Sequence, residues 1–274
     1  MLTLVGTPIG NLGDLSPRGI EALAAADAVA CEDTRRTGRL LAHIGVRAPV
    51  LIVMNDHTEG EVIGRIIERL TAGERVAVVS DAGMPGISDP GERLVAAVSA
   101  AGLRIEVVPG PSAAITALVG SGLPAGRFVF EGFLPRKGSG RAERLRELAT
   151  ESRTVLLYEA PHRLERTLTD LVGICGSQRQ IVFARELTKL HEEFWRGTLA
   201  EAISRCGEVE PRGEYVLVLA GAPIPEAADD AQLLGALRRE RENGSTTRDA
   251  VALVAEQFGA SHRRVYSLAT GSSD

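Results

Sequence analysis

Residues 81–91 read Asp-Ala-Gly-Met-Pro-Gly-Ile-Ser-Asp-Pro-Gly, with three glycines, two prolines and two aspartates. Proline fixes φ and glycine opens conformations closed to other residues, so the backbone path of this loop is closely dictated. Such a path lets main chain approach a ligand, and the aspartates add polar contacts. Pro109-Gly110-Pro111-Ser112-Ala113-Ala114 is a second turn of this kind, a rigid delivery of a helix N-terminus with Ser112 as the expected cap. A third glycine-rich turn, Gly6-Thr7-Pro8-Ile9-Gly10-Asn11-Leu12-Gly13, follows the first apolar run, with Glu32 and Asp33 about 20 residues on. Its spacing is GxxxGxxG rather than the dinucleotide GxGxxG, and Pro8 stands where a helix should begin to present its N–H groups. A nicotinamide dinucleotide is not expected. No Gly-Lys-Ser/Thr follows, so the turn is not a P-loop either; a purely structural turn is the competing reading.

Other chemistries find less support. Cys31, Cys175 and Cys206 are widely spaced, and His43, His57, His162, His191 and His262 form no HxxxH or HExxH pattern. Neither a disulfide framework nor a metal is expected. With 31 basic against 36 acidic residues the net charge is −5, which argues against a general nucleic-acid binder. A local basic face stays open, because all but Lys137 and Lys189 of those cations are arginine, suited to phosphate forks.

The elements that must position these loops alternate in type. Strand-like runs at 2–5, 27–31, 50–54, 75–80 and 105–108 alternate with helical spacing at 17–26, 36–44, 61–70, 93–101 and 112–119. That order predicts a parallel α/β sheet with helices on both faces and ligand loops at its carboxyl edge. After Gly122-Leu123-Pro124 the character changes. Strands at 127–133, 154–158, 180–185, 193–198 and 215–220, with a helix at 142–149 and few others, predict a mixed sheet. An Ala/Pro/Asp-rich linker at 221–230 leads to two helices of helix-turn-helix proportions, at 248–258 and 261–268. The expected division is 1–122, 123–222 and 223–274, the last piece too small to bury its own core and expected to dock on the rest. No apolar run reaches the ~20 residues of a membrane span, and Met1 leads directly into a strand. A soluble, cytoplasmic protein is expected.

The segments Thr3-Leu4-Val5-Gly6-Thr7-Pro8-Ile9-Gly10-Asn11-Leu12, Glu32-Asp33-Thr34-Arg35, 81–91, 109–114 and Glu159-Ala160-Pro161-His162-Arg163 together resemble the tetrapyrrole methylase superfamily, and within it the ribosomal RNA small subunit methyltransferase I branch. The resemblance covers residues 1 to about 221, with the helical tail similar to that branch's C-terminal extension. It implies an enzyme that uses S-adenosyl-L-methionine to methylate the ribose 2′-hydroxyl of a cytidine in the decoding region of 16S rRNA. It further implies two α/β domains with the cofactor in the cleft between them, 16S rRNA of the small ribosomal subunit or its precursor as partner, and a homodimer. The cofactor contacts carried over are Pro8 and Ile9; Asp81, Gly83, Met84, Pro85, Ile87 and Ser88; Ser112 and Ala113; and Tyr158 and Tyr215. Gly83-Met84-Pro85 departs from the Gly-Asp-Pro usual in the superfamily, so the contact carried over at position 84 is one of backbone.

A sulfonium methyl is already activated, so alignment is the main task. A ribose hydroxyl is a poor nucleophile, and a proton acceptor would help it. Asp33 and Glu159 are favoured for that role over Glu32, Asp81, Asp89 and His162; each could equally structure its loop. The RNA footprint is expected at Arg136, Lys137, Arg141 and Arg144, with Arg146 beside them and Arg163 and Arg166 as a continuing rim. Pairing of Glu143 and Glu147 within the helix would instead leave an ordinary solvated face. Two other readings stay open: a C-methyltransferase acting on a porphyrinoid such as uroporphyrinogen or a precorrin, and a non-catalytic ribosome-assembly module.

Overall fold

A computed structural model describes the chain except for residues 48–49, 56–57, 224–227 and 272–274. Asp56, His57 and the middle of the expected linker thus lie outside the described residues. The chain forms two compact units, 1–222 and 223–274.

The first sheet contains β1 (Leu2–Val5), β2 (Ala28–Cys31), β3 (Leu51–Val53), β4 (Val76–Val78) and β5 (Ile105–Val108). All its pairings are parallel, in the order β3-β2-β4-β1-β5. Helices α3 (Glu59–Thr71) and α4 (Glu92–Ala100) cover one face through Val62, Ile66, Leu70, Leu94 and Val98. On the other face, α1 (Pro17–Ala24) and α2 (Thr34–His43) bring Leu23 and Leu41 against Val29 and Ala77. Ser16 starts α1 by accepting from the Gly19 amide at 3.1 Å, with Pro17 in the first turn.

Helix α5 (Ala113–Ser121) breaks this pattern. Its residues Ala114, Ala117 and Leu118 pack on the second sheet, against Leu156, Val182, Ala184, Val216 and Val218. Two contacts hold its carboxyl end there: Arg196 donates to the carbonyls of Ser121 at 3.0 Å and Gly120 at 2.5 Å. A cation there complements the negative end of the helix dipole.

The second sheet consists of β6 (Phe128–Phe133), β7 (Thr154–Glu159), β8 (Gln180–Arg185), β9 (Glu193–Thr198) and β10 (Tyr215–Leu219), in the order β6-β7-β10-β8-β9. It is mixed, with β6 and β7 parallel and the other pairs antiparallel. The expectation of few helices here is corrected. Besides α6 (Ser139–Thr150), this part contains α7 (Pro161–Cys175) and α8 (Leu199–Glu208), and all three bury leucines on the sheet face opposite α5. Period-2 alternation along β7 makes this work: Val155 and Leu157 meet that helical layer, while Leu156 and Tyr158 face α5.

Among its described residues the second unit has three helices, α9 (Asp230–Glu242), α10 (Thr247–Phe258) and α11 (His262–Thr270). The expectation missed α9, which a capping box between Asp229 and Gln232 initiates. With this third helix the unit has a core of its own, including Leu233, Leu237, Val251, Val254 and Val265. That corrects the expectation that it could not bury one.

Since Leu118 is buried between α5 and the second sheet, Leu118→Ala is expected to cost about 2–5 kcal/mol, read as a lower urea midpoint.

Candidate functional site

Strands β4, β1 and β5 are neighbours, so the three glycine-rich loops leave one edge of the first sheet side by side. Two backbone bonds, Thr7 to Gly83 at 2.9 Å and Gly83 to Thr7 at 3.1 Å, join the first loop to the second. The Thr7 hydroxyl lies within hydrogen-bond distance of the Ser80 and Gly83 carbonyls, at 3.2 and 3.3 Å. The first and third loops touch backbone to backbone. A Cβ on Gly6 would stand 2.6 Å from Gly110 Cα and 2.7 Å from Met84 Sδ, leaving no room for any side chain. Gly83 and Gly91 have φ of +85° and +136°, and Ser88, which carries a side chain, is held at +59°.

Sequence reasoning missed the residue that anchors the far end of this loop. Glu59, 3% exposed, accepts from the amides of Gly91 at 3.1 Å and Leu94 at 3.0 Å, and from Arg93 Nε at 3.0 Å. It thereby supplies the acceptor that Gly91 lacks at the start of α4. Nothing local signals this, because Glu59 sits in the first turn of α3, some 30 residues upstream.

A cleft of about 380 Å³ opens between these loops and the ends of β7, β8 and β10. It brings together Ile9, Gly83, Met84, Ile87, Ser88, Ser112, Ala113, Tyr158 and Tyr215 of the expected cofactor set, with Asp89 and Glu159. Pro8, Asp81 and Pro85 do not line it. Asp81 turns to the β2 loop instead, accepting from the Asp33 amide at 3.2 Å and pairing with Arg36 at 3.4 Å. Ser112 stands at the N-cap position of α5 but makes no side-chain cap bond, which corrects that detail. Phe133, Ala184, Leu187, Glu214 and Val216 also line the cleft and were missed. In sequence they look like ordinary strand or loop residues.

Tyr158 stacks edge-on with Phe130 and Phe133, with ring centroids 5.0 and 5.5 Å away. Burial raises its phenol pKa, the Ala114 backbone hydrogen bond opposes this, and the charge of Asp89 raises it further. The hydroxyl therefore stays protonated at neutral pH, a donor rather than a base.

The expected proton acceptors separate. Asp33 lies away from the cleft as the N-cap of α2, accepting from the Arg35 amide at 2.8 Å and the Arg35 guanidinium at 2.9 Å. These bonds hold its carboxyl at about 2, a poor proton acceptor. Glu32 is not part of the cleft wall either, and His162 borders a different cavity. Glu159 does line the cleft, at 2% exposure, but its carboxylate is engaged. It accepts from Thr167 Oγ1 at 2.6 Å and the Ala160 amide at 2.9 Å, and pairs with Arg163 Nε at 3.2 Å. Asp89 remains as the other expected acceptor in the cleft.

The expected RNA footprint also divides. Arg136 and Lys137 are exposed, whereas Arg141 is 4% exposed and corrects the expectation of a surface contact. Its guanidinium donates to Asp170 at 2.7 Å, Thr167 at 3.1 Å and the Pro135 carbonyl at 3.1 Å, so it is a buried strut between α6 and α7. Arg144 pairs with Glu147 at 3.1 Å, and Arg146 bonds the Ala142 carbonyl at 3.3 Å. Arg163 donates to the Leu134 carbonyl at 2.6 Å. Among the described residues there is no His/Cys/Asp/Glu cluster fit for a metal, and no helix long and apolar enough to cross a membrane.

The family model for Tetrapyrrole (Corrin/Porphyrin) Methylases matches residues 1–203. The chain belongs to this family. Ribosomal RNA small subunit methyltransferase I of Synechocystis sp. is 48% identical, the match covering 98% of this chain and 96% of that protein. The protein of the same name from Escherichia coli O157:H7 is 42% identical, over 98% and 94%. The crystal structure of the methyltransferase CobJ has a TM-score of 0.62 and 25% identity, covering 81% of this chain and 94% of its own. Uroporphyrin-III C-methyl transferase from Thermus thermophilus, complexed with S-adenyl homocysteine, shares the fold at a TM-score of 0.56 and 22% identity, over 80% and 96%. Membership makes the chain a methyltransferase, and the two α/β sheets are those of the family fold.

Two outcomes are expected. Glu59→Ala strands two buried amides and should cost about 1–3 kcal/mol while loosening the 81–91 loop, seen as faster amide exchange there. The ion pair of Asp33 is a charge effect with a depressed pKa. Its contribution should be fully present above the ordinary 3.8 and vanish as pH falls through about 2, so melting curves of wild type and Asp33→Asn should converge there.

Proposed function

We propose that this chain uses S-adenosyl-L-methionine to methylate the ribose 2′-hydroxyl of a cytidine in the decoding region of 16S rRNA. The observation that carries the reading is the cleft at the carboxyl edge of β1, β4 and β5, in a chain 48% identical to a protein named ribosomal RNA small subunit methyltransferase I.

The residues present fit such a cofactor. The cleft volume of about 380 Å³ falls within the ~300–1,000 Å³ common for small-molecule sites. Positive φ at Gly83 and Gly86 gives the loop a backbone path open to close approach, and Ile9, Met84, Ile87, Leu187 and Val216 give apolar walls for an adenosine and a thioether chain. Ser88 and Ser112 add hydroxyls for its polar groups. Bound there, S-adenosylmethionine supplies a methyl group already activated by its sulfonium.

The chain's own tasks are then alignment and proton removal. The 83–88 loop holds one side of the cleft rigidly, through Thr7 at one end and Glu59 beyond the other. Tyr158, Phe133 and Pro161 form one wall of the cleft, with the Tyr158 hydroxyl as a donor. We assign the acceptor role for the ribose hydroxyl proton to Asp89, whose carboxylate belongs to the cleft-lining loop beside Ile87 and Ser88.

The test is mass mapping of methyl groups after the full chain is incubated with S-adenosylmethionine and 16S rRNA, both free and in small subunits. A single methyl on a cytidine ribose is expected. Methyl transfer to uroporphyrinogen with none to rRNA would replace this reading with the porphyrinoid one. Asp89→Asn should lower kcat by roughly 10²–10⁴ and leave cofactor affinity near wild type by calorimetry.

A further inference from the structure

A second cavity, of about 360 Å³, is lined by Arg136, Arg141, His162, Arg163, Arg166 and Thr167. It shares no residue with the cleft, yet it begins where the cleft ends: 159–161 line the one, and 162, 163, 166 and 167 the other. No carboxylate lines it. Arg141 and Arg163 are neutralised from behind by Asp170 and Glu159. The side chains of Arg136, His162 and Arg166, all exposed, make no hydrogen bond or ion pair among the described residues.

This cavity has a built floor. Arg141 is fixed by bonds to Asp170, Thr167 and the Pro135 carbonyl, and Thr167 passes its own hydrogen to Glu159. Arg136 and Arg166 thus add two guanidiniums without ion pairs among the described residues to a cavity whose other arginines are already engaged. Concentrating cations without partners costs self-repulsion, which an anion relieves. A chain of net charge −5 attracts a polyanion only through such a local concentration.

We propose that this cavity is a phosphodiester subsite, gripping the RNA backbone beside the nucleotide whose ribose enters the cleft. The inference rests on the RNA reading above. Guanidinium forks match phosphate oxygens in pairs, and a polymer of linked nucleotides can occupy two adjoining cavities at once.

The experiment measures binding of a single-stranded 16S rRNA fragment across a salt series, using the full chain and the double variant R136A/R166A. Both side chains are exposed and without partners, so the variant should melt as wild type does. Its S-adenosylmethionine affinity should also be unchanged, because neither residue lines the cleft. RNA affinity should fall about ten-fold per arginine, and the logarithmic salt slope by about 0.7 for each. R136K/R166K should keep the slope and lose part of the affinity, since the charge stays and the fork goes. Wild-type affinity and slope in the double alanine variant would overturn the subsite while leaving the RNA reading intact. Failure of the wild-type chain itself to bind rRNA would overturn both. Weakened uroporphyrinogen binding in the variant, with RNA binding unchanged, would reassign the cavity to carboxylates.

Discussion

The architecture around the cleft depends on the contact of Gly6 with Gly110. Two backbones pass so closely there that neither residue tolerates a Cβ. This contact sets the spacing between the loops after β1 and β5, and Met84 of the loop after β4 packs into the same point. The Thr7–Gly83 bridge fixes the register of the loops after β1 and β4 with two backbone hydrogen bonds, the Thr7 hydroxyl lying beside them.

The opposite wall is placed by α5. In an open α/β sheet, the helix after the last strand is expected to fold back on its own sheet. Here Ala114 and Ala117 are small enough for α5 to seat closely on β7, β8 and β10, and Arg196 secures its end. One helix therefore belongs by sequence to the first sheet and by packing to the second. Its N-terminal residues Ser112 and Ala113 lie in the cleft for that reason.

Buried charge is used sparingly and always satisfied. Glu59 gathers the loop end and the start of α4, and Glu159, Thr167, Arg141 and Asp170 form one connected network under the second sheet's helical layer. No buried side-chain polar atom among the described residues lacks a partner. Removing one member of such a network would leave the others desolvated, so these groups act as a unit. The network also separates structural arginines from solvent-facing ones: Arg141 serves the fold, while Arg136 and Arg166 keep their charge available.

Local chemistry was readable directly from the sequence. Alternating apolar runs and helical spacing specified the parallel sheet, because strand and helix periods differ and caps such as Ser16 mark boundaries. The glycine and proline pattern of 81–91 and 109–114 marked loops that the structure brings to the cleft, since few other residues tolerate those paths. Family membership was likewise legible, as it rests on those same short motifs. What tertiary structure decided was direction and partnership. Asp33 and Arg141 read like functional groups, yet one caps a helix and the other is buried, because their partners Arg35 and Asp170 compete successfully for them. Glu59 and Leu187 read as ordinary residues, yet one holds the loop and the other lines the cleft. Residue type and spacing set what a side chain can bond; only the packing of distant segments decides which bond it makes, since that choice is settled by which groups are buried together.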